Sequence, residues 1–167
     1  AGGKLDRELA VYVAKACESK GINFYMMYGS TEATARMSYL SHEYATTKTG
    51  SIGKPIEGGQ FIISDSLGRP ITDSNISGSL VYRGENVTLG YATSYRNLSD
   101  GDNNNGSLHT GDIATRDDEG FYYIVGRESR FVKIYGHRLN LDELEGIIKD
   151  IGYDCACVGS DDDITIY

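Results

Sequence analysis

The sequence predicts an α/β segment that passes into a run of short strands and ends in a small α+β unit. Three observations carry that reading. Apolar residues recur at helical spacing near the start and lead straight into an uninterrupted apolar run, Ile22 to Met27. From Gln60 the texture changes to short apolar stretches separated by turn clusters such as Asp65-Ser66-Leu67-Gly68-Arg69-Pro70. From about Glu128 a strand–turn–strand–helix pattern takes over.

Leu5, Leu9, Val13 and Ala16, with Ala10, Ala14 and Cys17 beside them, define one face of a helix. Asp6 and Glu8 lie in its first turn, Lys15 and Lys20 near its end, and Gly21 is placed to cap it. The run Ile22 to Met27 is too short and too uniformly apolar for a surface strand, so a buried, parallel one is expected. A helix followed by such a strand looks like the tail of an α/β unit whose earlier repeats are absent. Phe61-Ile62-Ile63, Ser79 to Arg83 and Tyr122 to Val125 read as short strands. Ser99 to Ser107 is a Gly/Asn/Asp stretch with nothing apolar to bury, expected to be exposed and mobile. Phe131 to Tyr135 reads as a strand, Gly136-His137 as a turn, Arg138 to Leu141 as a strand and Asp142 to Lys149 as a helix. Asp142 is placed as its N-cap, with Glu145 at the spacing of a capping box. Strands over Cys155 to Val158 and Ile164 to Tyr167 complete the pattern.

A chain of 167 residues with 40% apolar content suits one domain, or one and a part. Its 13 Tyr, 21 Gly and 2 Pro agree with many short strands joined by glycine turns. The net charge of −8 argues against binding a nucleic-acid backbone, which needs clustered Lys and Arg. No apolar run is long enough to span a membrane. The start, Ala1-Gly2-Gly3-Lys4, has no apolar secretory core, and the 3 cysteines do not form a disulfide framework, so a reducing, cytoplasmic setting is expected.

The stretch Tyr28-Gly29-Ser30-Thr31-Glu32 follows the apolar run directly. Gly29 permits close backbone approach to a ligand, Ser30 and Thr31 can donate to phosphate oxygens, and Glu32 can hold the divalent cation those phosphates need. Alone, this string reads equally as a strand end and a polar turn. Further along come Thr110-Gly111-Asp112, Gly126-Arg127, Lys133, Gly136, Arg138 and the helix start Leu141-Asp142-Glu143-Leu144-Glu145. In that order and at those distances the set resembles the adenylate-forming superfamily of acyl-CoA synthetases, aryl-CoA ligases, luciferases and peptide-synthetase adenylation domains. The resemblance runs from Gly2-Gly3 to about Glu145.

The resemblance implies that residues 1–127 are the C-terminal part of a large AMP-binding domain, with helix, buried strand and a distorted β-barrel over about 60–125. Residues 128–167 would begin a small mobile α+β domain, joined by a hinge near Arg127 to Arg130. It implies an ATP-dependent acid–thiol ligase: carboxylate and ATP give an acyl-adenylate and pyrophosphate, then a thioester and AMP. Gly2 and Gly3 would lie against adenine and the acyl substrate, Tyr28 against the adenine ring, Gly29 and Ser30 against the nucleotide, Thr31 on phosphate and Glu32 on Mg²⁺. Asp112 would accept from both ribose hydroxyls and Arg127 would bond the ribose as well. Lys133 would face the adenylate after the small domain swings, and Gly136 would leave room for pantetheine. The thiol could be coenzyme A or the phosphopantetheine of an acyl-carrier protein, and the acid is not specified.

Several features depart from that pattern. Ser129 stands where the family usually has a hinge Asp or Lys, and Gly78-Ser79-Leu80 replaces Gly-Glu-Leu. The Lys-bearing loop that grips the β,γ-phosphates and the C-terminal lysine are both absent, Lys149 being the last lysine. The chain therefore reads as an internal fragment, inactive alone, of an adenylating enzyme. The alternative is a non-catalytic adenylate-binding module of the same fold. Gly50-Ser51-Ile52-Gly53-Lys54 mimics a phosphate loop, but Pro55 stands where a Ser or Thr should open a helix, so it reads as a turn. Asp100, Asp102 and Asn104 mimic a calcium loop, yet Asn105 and Gly111 occupy its glycine and bidentate-glutamate positions.

Overall fold

A computed structural model describes residues 5–167, so the expectations for Gly2 and Gly3 lie outside the described residues. Helix α1 spans Arg7–Glu18, capped by the Asp6 carboxylate, which accepts from the Leu9 amide at 2.9 Å. It closes at Gly21, whose φ of +65° lets the Ile22 amide reach Cys17 O and its own amide reach Glu18 O. Of the predicted apolar stripe only Ala10 and Ala14 are buried, while Leu5 and Leu9 stay about half exposed.

Strands β1 (Met26–Tyr28), β2 (Ser38–Leu40), β3 (Ser51–Pro55), β4 (Gln60–Ser64), β5 (Gly78–Arg83), β6 (Ser107–Arg116) and β7 (Tyr122–Arg127) form one antiparallel sheet in the order β1-β2-β3-β7-β6-β5-β4. Two expectations are corrected here. The Ile22 to Met27 run is not a buried parallel strand: β1 begins only at Met26, pairs antiparallel with β2, and leaves Ile22 and Met27 more than half exposed. Its position at the sheet's end gives it one neighbour, so composition alone could not fix its burial. Only Gly50 of the Gly50 to Lys54 stretch lies in a turn; Ser51 to Lys54 form the body of β3. There the Ser51 hydroxyl donates to Tyr122 O at 2.8 Å and accepts from the Gly53 amide, filling the bonds that a bulge leaves open.

Flat, a sheet of 7 strands would hold its end strands about 29 Å apart. Instead the rings of Tyr28 in β1 and Phe61 in β4 lie 6.0 Å centroid to centroid. The sheet is therefore curled until its ends meet, as the expected distorted barrel requires, and register shifts in β3, β5 and β6 supply the curvature. Phe61 is the centre of the enclosed core, with Tyr82 at 5.6 Å and Tyr122 at 5.0 Å in edge contacts and Met37, Leu80 and Ala114 around them.

A second, smaller core follows. Strands β8 (Phe131–Ile134) and β9 (His137–Asn140) form a hairpin, helix α2 (Leu141–Asp150) packs on it, and β10 (Cys157–Ser160) pairs with β11 (Asp163–Ile166). Val132, Leu141 and Cys157 are buried between them. Asn140, not Asp142, caps α2, its side chain accepting from the Asp142 amide at 3.0 Å. Glu145 likewise serves no capping box. It accepts from the Cys157 amide at 2.6 Å and from Arg130, which also bonds Asp142 and the Cys157 carbonyl. The 99–106 stretch is exposed but pinned, since Asp102 accepts from the Asn104 and Asn105 amides and Asn104 donates to Thr88 O.

The Cys157 amide and the Arg130 guanidinium hold the Glu145 carboxyl below its usual pKa. A carboxyl whose pKa is lowered on folding stabilises the fold above its unfolded value, about 4.3 for glutamate, and that contribution is lost as pH falls through the lower folded value. Protection of the α2 amides from hydrogen exchange, relative to their intrinsic rates, is accordingly expected to fall below about pH 4. Glu145→Gln should exchange faster at neutral pH and show a weaker acid dependence; an unchanged acid profile would remove Glu145 as its source.

Candidate functional site

β1 delivers Tyr28 to the rim of the curled sheet, and the chain then doubles back so that the Met37 amide bonds Tyr28 O at 2.9 Å. Between them, Ser30 O accepts from the Ala33 and Ala35 amides, and Thr31–Ala33 forms a 3₁₀ turn. This fold-back itself requires Gly29: a Cβ there would stand 2.2 Å from Ala35 O. Thr34 and Ala35 both adopt the left-handed region, with φ of 47° and 73°. Each such non-glycine residue costs about 1–3 kcal/mol, and strain of this kind gathers at ligand-binding loops. Thr31 is exposed, whereas the Ser30 hydroxyl is buried with no well-formed hydrogen bond among the described residues, near enough to the Glu32 carboxylate to help lower its pKa.

The sequence does not anticipate how Asp112 is presented. Opposite Leu80 alone in β5, β6 inserts Thr110, Gly111 and Asp112, a bulge that needs the φ of +73° at Gly111. Thr110 fixes it by donating to Leu80 O at 2.9 Å and accepting from the Asp112 amide. Asp112 is thereby turned inward, 6% exposed. Its Oδ2 accepts from the Tyr28 hydroxyl and its Oδ1 faces Arg127 Nε at 2.9 Å, its cross-strand partner in β7. Burial first, and then the bond to Asp112, push the Tyr28 phenol well above its ordinary range, so it stays a neutral donor. Each Asp112 oxygen keeps a second lone pair, so two further donors can still be accepted. Tyr28, expected against adenine, spends its hydroxyl on Asp112 and one ring edge on Phe61.

Glu32 is half-buried and accepts from Tyr91, a bond that is the main cause of its carboxyl being held below its usual pKa. It is ionised at neutral pH. Among the described residues no three metal-ligating side chains cluster, so a cation here would rest on Glu32 together with oxygens of a ligand. That donor set fits Mg²⁺, which keeps waters and shares phosphate oxygens with one or two carboxylates.

Asp112 thus contacts both Tyr28 and Arg127, and Ser30 to Glu32 follow Tyr28 within one loop. Lys133 is not among them. It lies exposed in β8, its backbone bonded to Asp161 and Asp162, and stands directly opposite Arg138. Two like charges facing each other across a hairpin repel, which an anion would relieve. Ser129 lies in an exposed 3₁₀ turn between the two cores. The residues missed from sequence are Tyr91, Asn86 and Thr110. Only Thr110 sits in a recognised motif; the others act over separations of 50 to 59 residues, which no local pattern encodes.

A family model described as AMP-binding enzyme matches residues 1–92. The 2-succinylbenzoate–CoA ligase of Bacillus cytotoxicus is 35% identical over 138 residues, 80% of this chain and 27% of the relative. That of Bacillus cereus is 36% identical with the same coverage. The chain thus spans about a quarter of the length of these curated relatives. Among solved structures, the O-succinylbenzoate coenzyme A synthetase of Bacillus subtilis in complex with AMP superposes with a TM-score of 0.74 at 27% identity, covering 98% of this chain and 33% of that one. The same enzyme with ATP and magnesium ion gives 0.71 at 26% identity, covering 93% and 33%.

Proposed function

This chain belongs to the AMP-binding enzyme family, and from that membership we propose that it is the nucleotide-holding segment of a longer ATP-dependent acid–thiol ligase. The observation that carries the reading is Asp112 held between Tyr28 and Arg127 beside a strained loop with a buried Ser30 hydroxyl and an ionised Glu32. Asp112 accepts from the two ribose hydroxyls, with Arg127 Nε 2.9 Å from its Oδ1 beside them. Ser30 and Thr31 donate to phosphate, and Glu32 would hold Mg²⁺, which would supply positive charge to the departing pyrophosphate. The substrate carboxylate oxygen attacks the α-phosphorus while the bond to the β-bridging oxygen breaks, and pyrophosphate leaves with that electron pair. In the second step a thiolate attacks the acyl carbon and AMP departs with the carbon–oxygen pair.

Residues 1–127 serve as the end of the large domain and 128–167 as the start of the small one. Their separate cores and the single-turn connection at Glu128–Arg130 support that division. The like-charged pair Lys133 and Arg138 supports an anion, the adenylate, as what this hairpin meets when the small domain turns. The relatives' names favour coenzyme A over a carrier protein as the thiol and an aryl acid such as 2-succinylbenzoate as the substrate. Among the described residues no helix is long and apolar enough to cross a membrane, and we place the enzyme in the cytoplasm.

The test is exchange of labelled pyrophosphate into ATP by the full-length protein, over a panel of aryl, fatty and amino acids. Exchange is expected with one acid class, and Glu32→Ala should lower it by at least about a hundredfold, as loss of charge stabilisation at a transferring phosphoryl group does. Tight AMP binding without exchange on any acid would instead favour the non-catalytic module.

A further inference from the structure

The strained loop 30–36 is not held by its own bonds alone. The segment that leaves β5 lies across it. Asn86 Nδ2 donates to two loop carbonyls, Ala33 O at 2.7 Å and Arg36 O at 2.9 Å. Its Oδ1 accepts from the Tyr82 hydroxyl at 2.8 Å, and Tyr82 is wholly buried in the core. That bond fixes the amide's orientation, since a flipped Asn86 would aim its oxygen at both carbonyls. The Asn86 carbonyl in turn accepts from Thr34 Oγ1, the Thr88 amide donates to Glu32 O at 2.8 Å, and Tyr91 donates to the Glu32 carboxylate. The two residues in the left-handed region, Thr34 and Ala35, lie between the two carbonyls that Asn86 holds.

We propose that Asn86 is a positioning residue: by bridging Ala33 O and Arg36 O it keeps loop 30–36 in the one strained conformation that presents Ser30 and Thr31 to phosphate and Glu32 to the cation that phosphate carries. It touches no reacting atom and acts through the loop, anchored by Tyr82 to the barrel core. The inference rests on the reading of this loop as the phosphate loop of an adenylating enzyme. Without the bridge the loop relaxes toward ordinary backbone angles, and the three ligand groups lose their common direction.

The experiment uses the full-length protein with Asn86→Asp, which keeps the shape but sets an oxygen against two carbonyls. Two readouts are taken. Hydrogen exchange of the 31–36 amides is expected to accelerate about tenfold or more, and KM for ATP in pyrophosphate exchange to rise about tenfold, with KM for the acid within about twofold. A loss of global stability alone would not split the two KM values. Tyr82→Phe, which removes only the bond orienting the amide, should move both readouts the same way by less, and it serves if Asn86→Asp does not fold. Unchanged amide exchange would overturn the bridge itself. Accelerated exchange with an unmoved KM for ATP would overturn the positioning role and with it the assignment of the loop to phosphate. The exchange measurement needs no substrate, so the bridge and the enzymatic reading fail separately.

Discussion

Asp112→Ala in the full-length protein is expected to abolish measurable AMP binding. The carboxylate is 6% exposed and already set between a neutral Tyr28 phenol and the Arg127 guanidinium, so it meets a nucleotide without having to reorganise. Hydrogen bonds to a charged group contribute about 1.5–3 kcal/mol each, so losing the pair to two ribose hydroxyls weakens affinity by at least about a hundredfold. The substitution also orphans the buried Tyr28 hydroxyl, which adds a cost in stability of about 1–3 kcal/mol. Asp112→Asn separates the two effects. It keeps one acceptor oxygen and satisfies Tyr28 while discharging the site, so stability should largely return and affinity only in part. Calorimetric titration with AMP is the measurement, and unchanged affinity in Asp112→Ala would remove the ribose role.

Much of this arrangement is legible in the sequence, and the limit is physical. Helix α1, its Gly21 stop, β4, β5, β7 and the β8–β9 hairpin follow from apolar spacing and turn residues, because local sterics decide them. The motifs also place Tyr28, Asp112 and Arg127 on separate strands whose meeting only the family resemblance could suggest. Burial of β1 was not legible, because an apolar run states what could be covered and not what lies beside it. The Asn140 cap was missed for a residue two places later because both residues are good caps, and the hairpin's register chose between them. Asn86 and Tyr91 carry no local signal at all, since their partners lie across the barrel.

Gly53 shows where a local reading fails and a structural one predicts. As part of Gly50 to Lys54 it suggests a turn, yet it lies inside β3 with φ of +78°. A Cβ there would stand 1.8 Å from Tyr39 O and 2.1 Å from Tyr39 C in the neighbouring β2, both backbone atoms that cannot swing aside. Gly53→Ala therefore combines a disfavoured backbone angle with a collision that must part β2 from β3. A loss of about 4 kcal/mol or more is expected, at the exceptional end for one substitution and enough to unfold a marginal domain. The damage should spread along one route. β2 is the return arm of loop 29–37 and pairs with β1 through Tyr28 and Ser38, so parting β2 from β3 loosens the strand that carries Tyr28 to Asp112. Thermal melting of Gly53→Ala against Gly50→Ala is the check. Gly50 also has positive φ but open space around it, so Ala there costs only the backbone angle, about 1 kcal/mol. Equal losses in the two variants would show that the collision with Tyr39 is relieved at no cost, and that the β2–β3 contact does not hold the Tyr28 strand in place.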